Sequence, residues 1–128
     1  MALLLDTHAL IWWVTGNERM PLPVRTAIQS GQGGVFVSAA TAWEVTTKHR
    51  QGKLDEMQTA IDDFPGFVDR AGFQPLSLSV GQAALSGRLP PHHRDPFDRM
   101  LIAQALSQGL TLISNETLFD LYGVERLW

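Results

Sequence analysis

Short apolar runs recur along the chain, separated by stretches with helical spacing. Five of these runs predict strands, over residues 2–5, 35–37, 73–78, 110–114 and 124–128. Their continuous apolar character, without polar alternation, is typical of strands buried on both faces of a parallel sheet. Pro75 weakens the third prediction, because proline cannot donate a hydrogen bond to a neighbouring strand.

Helices are predicted between these strands from apolar spacing and from residues that mark helix ends. The predicted N-caps are Thr7, Ser38, Ser79 and Asp95, and the predicted glycines after helix ends are Gly52 and Gly109. The predicted helices cover residues 8–14, 21–28, 39–50 and 82–89. Two helical pieces are predicted from about residue 54, with a break at 64–66, and a last helix runs from Pro96 to just before Gly109. Alternating strands and helices without hairpin turns predict an α/β fold, a three-layer α/β/α sandwich around a short parallel sheet.

The stretch from His93 to Ala105 places acidic residues at the mouth of an apolar helix. Asp95 followed by Pro96 has the form of an N-cap with proline at the first helical position, which makes Asp98 the third helical residue. The face that continues from Asp98 carries Leu101, Ile102, Ala105 and Leu106. A carboxylate at the rim of a core needs a cation or hydrogen-bond donors, because burying it unpaired costs several kcal/mol.

Composition is consistent with one domain over residues 1–128, with 45% hydrophobic and 18% charged residues. No apolar run approaches the ~20 residues that cross a bilayer. The opening MALLLD lacks a basic segment and is interrupted by Asp6, so we expect a cytoplasmic protein without a signal peptide or membrane contact.

The aromatic residues are expected to pack the core. The absence of cysteine excludes disulfides and thiolate sites, and favours a hard cation over zinc.

The net charge of −3 gives no general indication of nucleic-acid binding. Basic residues nevertheless form two clusters, one of Lys48, His49, Arg50 and Lys53, and one of Arg88, His92, His93, Arg94 and Arg99. The second cluster brackets the acidic stretch, which suits a polyanionic substrate held through a metal. Each cluster alone is equally well explained as a solvated polar face.

Five carboxylates are predicted at one edge of the sheet. Asp6 and Glu116 follow strands, Glu44 lies early in the helix after the second strand, and Asp95 and Asp98 begin the helix before the fourth. In open parallel sheets, ligands bind beyond the carboxyl ends of the strands. Carboxylates crowded there repel each other unless Mg²⁺ or Mn²⁺ neutralises them. Such a site is suited to phosphodiester hydrolysis.

Each of these residues also has a structural explanation. The alternatives are helix caps for Asp6 and Asp95, a capping box for Asp98, an i,i+4 ion pair with Lys48 for Glu44, and an ordinary loop position for Glu116. Histidines 8, 92 and 93 are more often structural or solvated than catalytic, and no zinc site is predicted from them.

Five blocks occur in order along the chain: DTHALIWW, SAATAWEV, GKL, HRDPFDRMLIAQA and LISNETLFDLYGVERLW. In order and spacing they resemble the PIN-domain ribonucleases, specifically the VapC-like toxins of type II toxin–antitoxin systems. The resemblance runs almost from end to end. It implies an α/β/α sandwich, RNA cleavage that depends on a divalent metal, a homodimer, and inhibition by a cognate antitoxin that occupies the site.

The resemblance also implies roles for individual residues. Asp6 and Asp98 correspond to the central metal ligands, Glu44 to the third acid, and Glu116 to the fourth. Asp95 belongs to the DPFDR subgroup, as a supplementary ligand or an acid that supports one. Glu116 departs from the usual pattern, since the family commonly has aspartate after Thr or Ser. The longer side chain would then bind through water or orient a neighbour.

Two other functions remain as alternatives. The first is a PIN-like module that binds partners without catalysis, in which Glu116 marks a decayed site. The second is a phosphoacceptor or phosphatase that uses Asp6, but its second aspartate is missing because His8 occupies that position.

Overall fold

The computed structural model describes all 128 residues and contains one five-stranded sheet. The strands are β1 Leu3–Leu5, β2 Val35–Ser38, β3 Gln74–Leu76, β4 Thr111–Ile113 and β5 Arg126–Leu127. They lie in the order β3-β2-β1-β4-β5, and every neighbouring pair is parallel. All five predicted strands are confirmed, although all except β2 are shorter than predicted, most clearly β3 and β5. Pro75 is tolerated because β3 is an edge strand.

Seven α-helices and two 3₁₀ helices connect the strands. The α-helices are α1 Thr7–Thr15, α2 Leu22–Ser30, α3 Ala39–Arg50, α4 Gln58–Asp62, α5 Phe64–Arg70, α6 Val80–Arg88 and α7 Pro96–Gln108. The 3₁₀ helices are Asp55–Met57 and Thr117–Tyr122, of which the second was not predicted. No helix is both long and apolar enough to span a membrane.

The helix ends follow local sequence signals. Ser38 and Asp95 cap α3 and α7 as predicted, and Ser79 forms a reciprocal capping box with Gln82 at the start of α6. Two end predictions are corrected. Asp6, and not Thr7, caps α1, and the break between α4 and α5 lies at Asp63, which caps α5.

Successive residues of the central strand point into two different cores, as the period of a strand requires. Leu3 and Leu5 belong to a cluster of 17 buried residues, to which α1 and α2 contribute. Leu4 belongs to a cluster of eight on the opposite face, together with Leu101 and Ile102 of α7. Full burial of such a side chain contributes about 1.5–3 kcal/mol. The predicted three-layer α/β/α sandwich is therefore confirmed.

One residue of the predicted apolar face of α7 is not in the core. Leu101, Ile102 and Ala105 are buried as predicted, but Leu106 is 43% exposed. The spacing of Leu106 from Asp98 places it at the side of the helix rather than at the centre of the buried face.

Gln104 ties α7 to the ends of two strands. This fully buried amide accepts a hydrogen bond of 2.6 Å from the Ser38 hydroxyl and donates one of 3.2 Å to the carbonyl of Ser77. Buried polar groups without partners are costly, so the bridge fixes the height of α7 against the carboxyl edge of the sheet.

We expect Gln104→Ala to lower the free energy of unfolding by about 1–3 kcal/mol, because it removes a buried bridge and leaves polar partners unsatisfied. Urea denaturation measures the change. Gln108→Ala is the matched control, since Gln108 is exposed and its amide bonds only the exposed Gln82. Equal stability of the two variants would show that the bridge does not hold α7.

Candidate active site

The predicted acids gather at the carboxyl ends of β1 and β4. These neighbouring strands mark the point where the strand order reverses, the position where open α/β sheets bind ligands. Asp6 directly follows β1, and Glu116 lies just beyond β4. The beginning of α7 and the second turn of α3 bring Asp98 and Glu44 to the same edge.

Asp6 is both a helix cap and a buried acid. It is 4% exposed, and its Oδ1 accepts a 2.8 Å hydrogen bond from the Ala9 N–H in the first turn of α1. Burial raises the pKa of Asp6, while hydrogen bonding from Ser114 and Ala9 opposes that rise, and the charge of Glu44 adds to it. The cap role of Asp6, weighed as an alternative from the sequence, is confirmed, and its role as a metal ligand remains a prediction.

Asp98 lies near four other acids. Burial is the largest cause that raises its pKa, and the negative charges of Asp95, Asp6, Glu44 and Glu116 add to that rise, so that the pKa reaches about 8. Its side chain is 22% exposed, so solvent and solutes reach it. The carboxylates are therefore close enough to repel each other at this residue.

Glu44 is held by two neighbours. It is 5% exposed, its Oε1 accepts a 2.6 Å hydrogen bond from the Thr7 hydroxyl, and its Oε2 lies 2.5 Å from the Lys48 ammonium. The predicted i,i+4 ion pair with Lys48 is thus present. Glu44 nevertheless points inward and links α3 to α1, which a surface ion pair would not do.

Asp95 and Glu116 both cap helices in this structure. Asp95 Oδ1 accepts hydrogen bonds from the N–H groups of Phe97 and Asp98, at 2.8 and 3.2 Å. Glu116 Oε1 accepts a 3.0 Å hydrogen bond from the Leu118 N–H at the start of the second 3₁₀ helix. The cap role of Asp95 is confirmed, and a metal-binding role for either residue remains a prediction.

The acids do not form a finished cage for an ion. No group of three acidic or histidine side chains converges closely enough to hold a metal as these side chains stand. The donor set still fits a divalent cation, because it consists of carboxylate oxygens and because a cation would offset the repulsion centred on Asp98. Asp6, Asp98 and Glu44, the ligands predicted from the sequence, all lie at this edge of the sheet, and their role as metal ligands remains a prediction.

Sequence reasoning missed three partners of these acids. Thr7 donates to Glu44, Ser114 supports Asp6 and accepts from the Glu116 N–H at 2.9 Å, and His93 lies against Asp98. Each of these residues lies inside one of the sequence blocks that contain the acids. Their closeness to the acids along the sequence was the only signal that could have identified these partners.

An apolar cavity of about 440 Å³ lies between the first turns of α3 and α7. Trp43 and Phe97 line it with their rings 5.4 Å apart, and these residues directly precede Glu44 and Asp98. Trp43 is 60% exposed, so the expectation that the aromatic residues pack the core is wrong for this one. An exposed indole beside a polar site indicates a surface that contacts another molecule.

The sequence profile of the family described as "PIN domain" matches residues 3–124. The chain belongs to the PIN-domain family. Over 120 residues it is 26% identical to the tRNA(fMet)-specific endonuclease VapC of Shigella flexneri, a match that covers 89% of this chain and 86% of that protein. A shorter match, 32% identical over 60 residues, covers 47% of this chain and 43% of ribonuclease VapC16 of Mycobacterium tuberculosis.

Solved structures of VapC-type PIN domains share the fold. A chain of DNA-bound VapBC from Salmonella typhimurium matches with a TM-score of 0.74 at 20% identity, over 99% of this PIN domain and 97% of that chain. A chain of VapBC2 from Rickettsia felis matches with a TM-score of 0.73 at 14% identity, over 100% and 99%. The predicted resemblance to VapC-like PIN domains is confirmed. The names of the two relatives state endonuclease or ribonuclease activity, which is the function predicted from the sequence.

We expect Asp98→Asn to stabilise the metal-free protein at pH 8. The folded-state pKa of Asp98, about 8, lies above the ordinary value of 3.8, so the folded state binds the extra proton between these values. Stability is then fully present below about pH 4 and is lost as pH rises through about 8. The variant lacks this loss and gains on the order of 1–3 kcal/mol at pH 8, with little gain at pH 4.5.

Urea denaturation in a chelator at both pH values measures this difference. Asp69→Asn, on an exposed position of α5, is the control and should match the wild type at both. An Asp98→Asn variant that is less stable than wild type at pH 8 would contradict the crowding of charges at this residue.

Proposed function

We propose that this PIN-domain protein is an endoribonuclease that depends on Mg²⁺ or Mn²⁺ and acts as the toxin of a type II toxin–antitoxin pair. The observation that carries the proposal is the gathering of Asp6, Glu44, Asp98 and Glu116 at the carboxyl ends of β1 and β4. Burial and four neighbouring carboxylates raise the pKa of Asp98 to about 8, in a side chain that solvent still reaches. A divalent cation would neutralise this cluster and offer a phosphate group a place to bind.

The relatives support the same function. The Shigella flexneri and Mycobacterium tuberculosis proteins are named as an endonuclease specific for tRNA(fMet) and as a ribonuclease. RNA is therefore the substrate class that we propose for this chain. We place the activity in the cytoplasm, where RNA is available.

In this proposal Asp6 and Asp98 hold the cation, with Glu44 as the third acid. Asp95 and Glu116 support the site from its margin. A bound Mg²⁺ or Mn²⁺ would activate a water molecule and stabilise charge on the scissile phosphate. Thr7 and Lys48 fix the carboxylate of Glu44, and the Ala9 N–H fixes that of Asp6. The N-terminal ends of α1 and α7, which Asp6 and Asp95 cap, stabilise negative charge in the cleft.

A cognate antitoxin and a second copy of the chain are the proposed protein partners. The similar structures from Salmonella typhimurium and Rickettsia felis are VapBC assemblies bound to DNA. The exposed Trp43 and the apolar cavity beside it support a protein contact close to the acids.

A PIN domain that binds partners without catalysis is the second candidate. The capping role of Glu116 favours it, because this acid is already occupied at Leu118. Calorimetry separates the two functions, since a pure binding module would fold and associate without binding Mg²⁺ or Mn²⁺.

We expect Asp6→Asn and Asp98→Asn each to lower the rate of RNA cleavage at least about 100-fold, because each removes a charge that holds the cation. Asparagine is as good an N-cap as aspartate, so Asp6→Asn keeps the Ala9 hydrogen bond of α1 while losing the charge. Cleavage of labelled RNA with Mn²⁺ measures the rate.

Asp69→Asn should cleave like the wild type, and a chelator should stop cleavage by both. Circular dichroism shows whether each variant is folded. Cleavage at the wild-type rate by both site variants would exclude this site as the source of the activity.

A further inference from the structure

His93 is buried against Asp98 with one ring nitrogen unsatisfied. The side chain is 10% exposed, and its Nε2 lies 2.9 Å from Oδ2 of Asp98. The contact is close, but Nε2 makes no hydrogen bond that satisfies both distance and angle. A buried donor left without a partner costs about 1–3 kcal/mol. Nε2 therefore needs an acceptor, and the carboxylate of Asp98 lies within reach.

The hydrogen bond of the other ring nitrogen shows whether His93 faces Asp98 as a hydrogen-bond donor or as a possible metal ligand. Nδ1 accepts a 3.2 Å hydrogen bond from the Asp95 N–H, so the proton of the neutral ring is on Nε2. A protonated nitrogen has no free lone pair for a metal. His93 therefore faces Asp98 as a donor and not as a ligand.

The backbone and ring of His93 are fixed on several sides. Its N–H donates to the Tyr122 hydroxyl at 2.8 Å, and that hydroxyl donates to the carbonyl of Pro90 at 2.6 Å. The ring packs on Phe119 with a centroid distance of 5.8 Å. These contacts leave the ring little freedom to turn away from Asp98.

Arg99 holds the loop that carries His93. Its guanidinium donates to four backbone carbonyls at 2.7–3.1 Å, those of Ser86, Leu89, Pro90 and His93. Arg99 was assigned from the sequence to a basic rim around the acids, but its donors are directed into the loop. The residue next to Asp98 therefore positions the loop whose histidine contacts Asp98.

We propose that His93 is a positioning residue for Asp98, an inference that rests on the metal-dependent function proposed above. Its Nε2–H holds Oδ2 of Asp98 and leaves the other carboxylate oxygen available to the cation. Hydrogen bonds to acids that bind metals fix their orientation, and loss of such a bond typically weakens metal affinity about 10- to 100-fold. Hydrogen bonds of this kind are often poorly aligned when the ligand is absent, so the 2.9 Å contact is compatible with this role.

A pair of amide variants tests this role. Both His93→Asn and His93→Gln introduce a side-chain amide, but only glutamine is long enough to donate from the position of Nε2. Asparagine can still accept from the Asp95 N–H, as Nδ1 does. His92→Asn is the control, because His92 is exposed and its ring packs on Tyr122, 5.3 Å away, rather than on Asp98.

Titration calorimetry with Mn²⁺ gives the affinity, and the melting temperature in a chelator gives the stability without metal. We expect His93→Asn to weaken Mn²⁺ binding about 10- to 100-fold. His93→Gln should restore most of this loss, and His92→Asn should match the wild type. In cleavage assays His93→Asn should need more Mn²⁺ for half-maximal rate, with a rate at saturating Mn²⁺ close to that of the wild type.

Equal Mn²⁺ affinity in the wild type and all three variants would overturn the positioning role. It would also be overturned if His93→Asn and His93→Gln lost affinity and melting temperature together, because that result marks a purely structural histidine. A wild type that neither binds Mn²⁺ nor cleaves RNA would overturn the proposed function itself, and the inference with it.

Discussion

The burial and crowding of carboxylates at one end of a small parallel sheet is the constraint on which this structure depends. Asp6 and Glu44 are almost fully buried, and local donors hold both, a helix N-terminus for the first and Thr7 with Lys48 for the second. Burial nevertheless raises the pKa of Asp6, and burial together with the neighbouring acids raises the pKa of Asp98 to about 8. The side chain of Asp98 is 22% exposed, so a cation could reach the cluster there.

The same residues specify the fold and the site. Asp6 begins α1 and Asp95 begins α7, so the signals that direct helix formation also deliver acids to the carboxyl edge of the sheet. A cap requires its side chain to turn back over the helix N-terminus. In a parallel sheet, that terminus faces the cleft when the helix follows a strand, and cap and ligand need not be alternatives.

Most of the fold could be predicted because its signals are local. Apolar runs and residues such as Ser38, Ser79 and Gly109 mark element ends without reference to distant contacts. The position of the acids followed from the strand order that such elements allow. The direction of each carboxylate side chain could not be predicted, since it depends on packing.

The missed features depend on contacts between distant parts of the chain. His93 faces Asp98 because Tyr122, far along the sequence, binds its backbone. Trp43 is 60% exposed although its ring lies against Phe97, and apolar character alone does not show which residues a chain leaves uncovered. Arg99 looked like part of a charged surface because its carbonyl partners carry no side-chain signal. A guanidinium that binds only main-chain oxygens does not depend on the side chains of the loop, so residues such as Arg88 and Arg94 can change without loss of the hydrogen bonds that hold the loop beside Asp98.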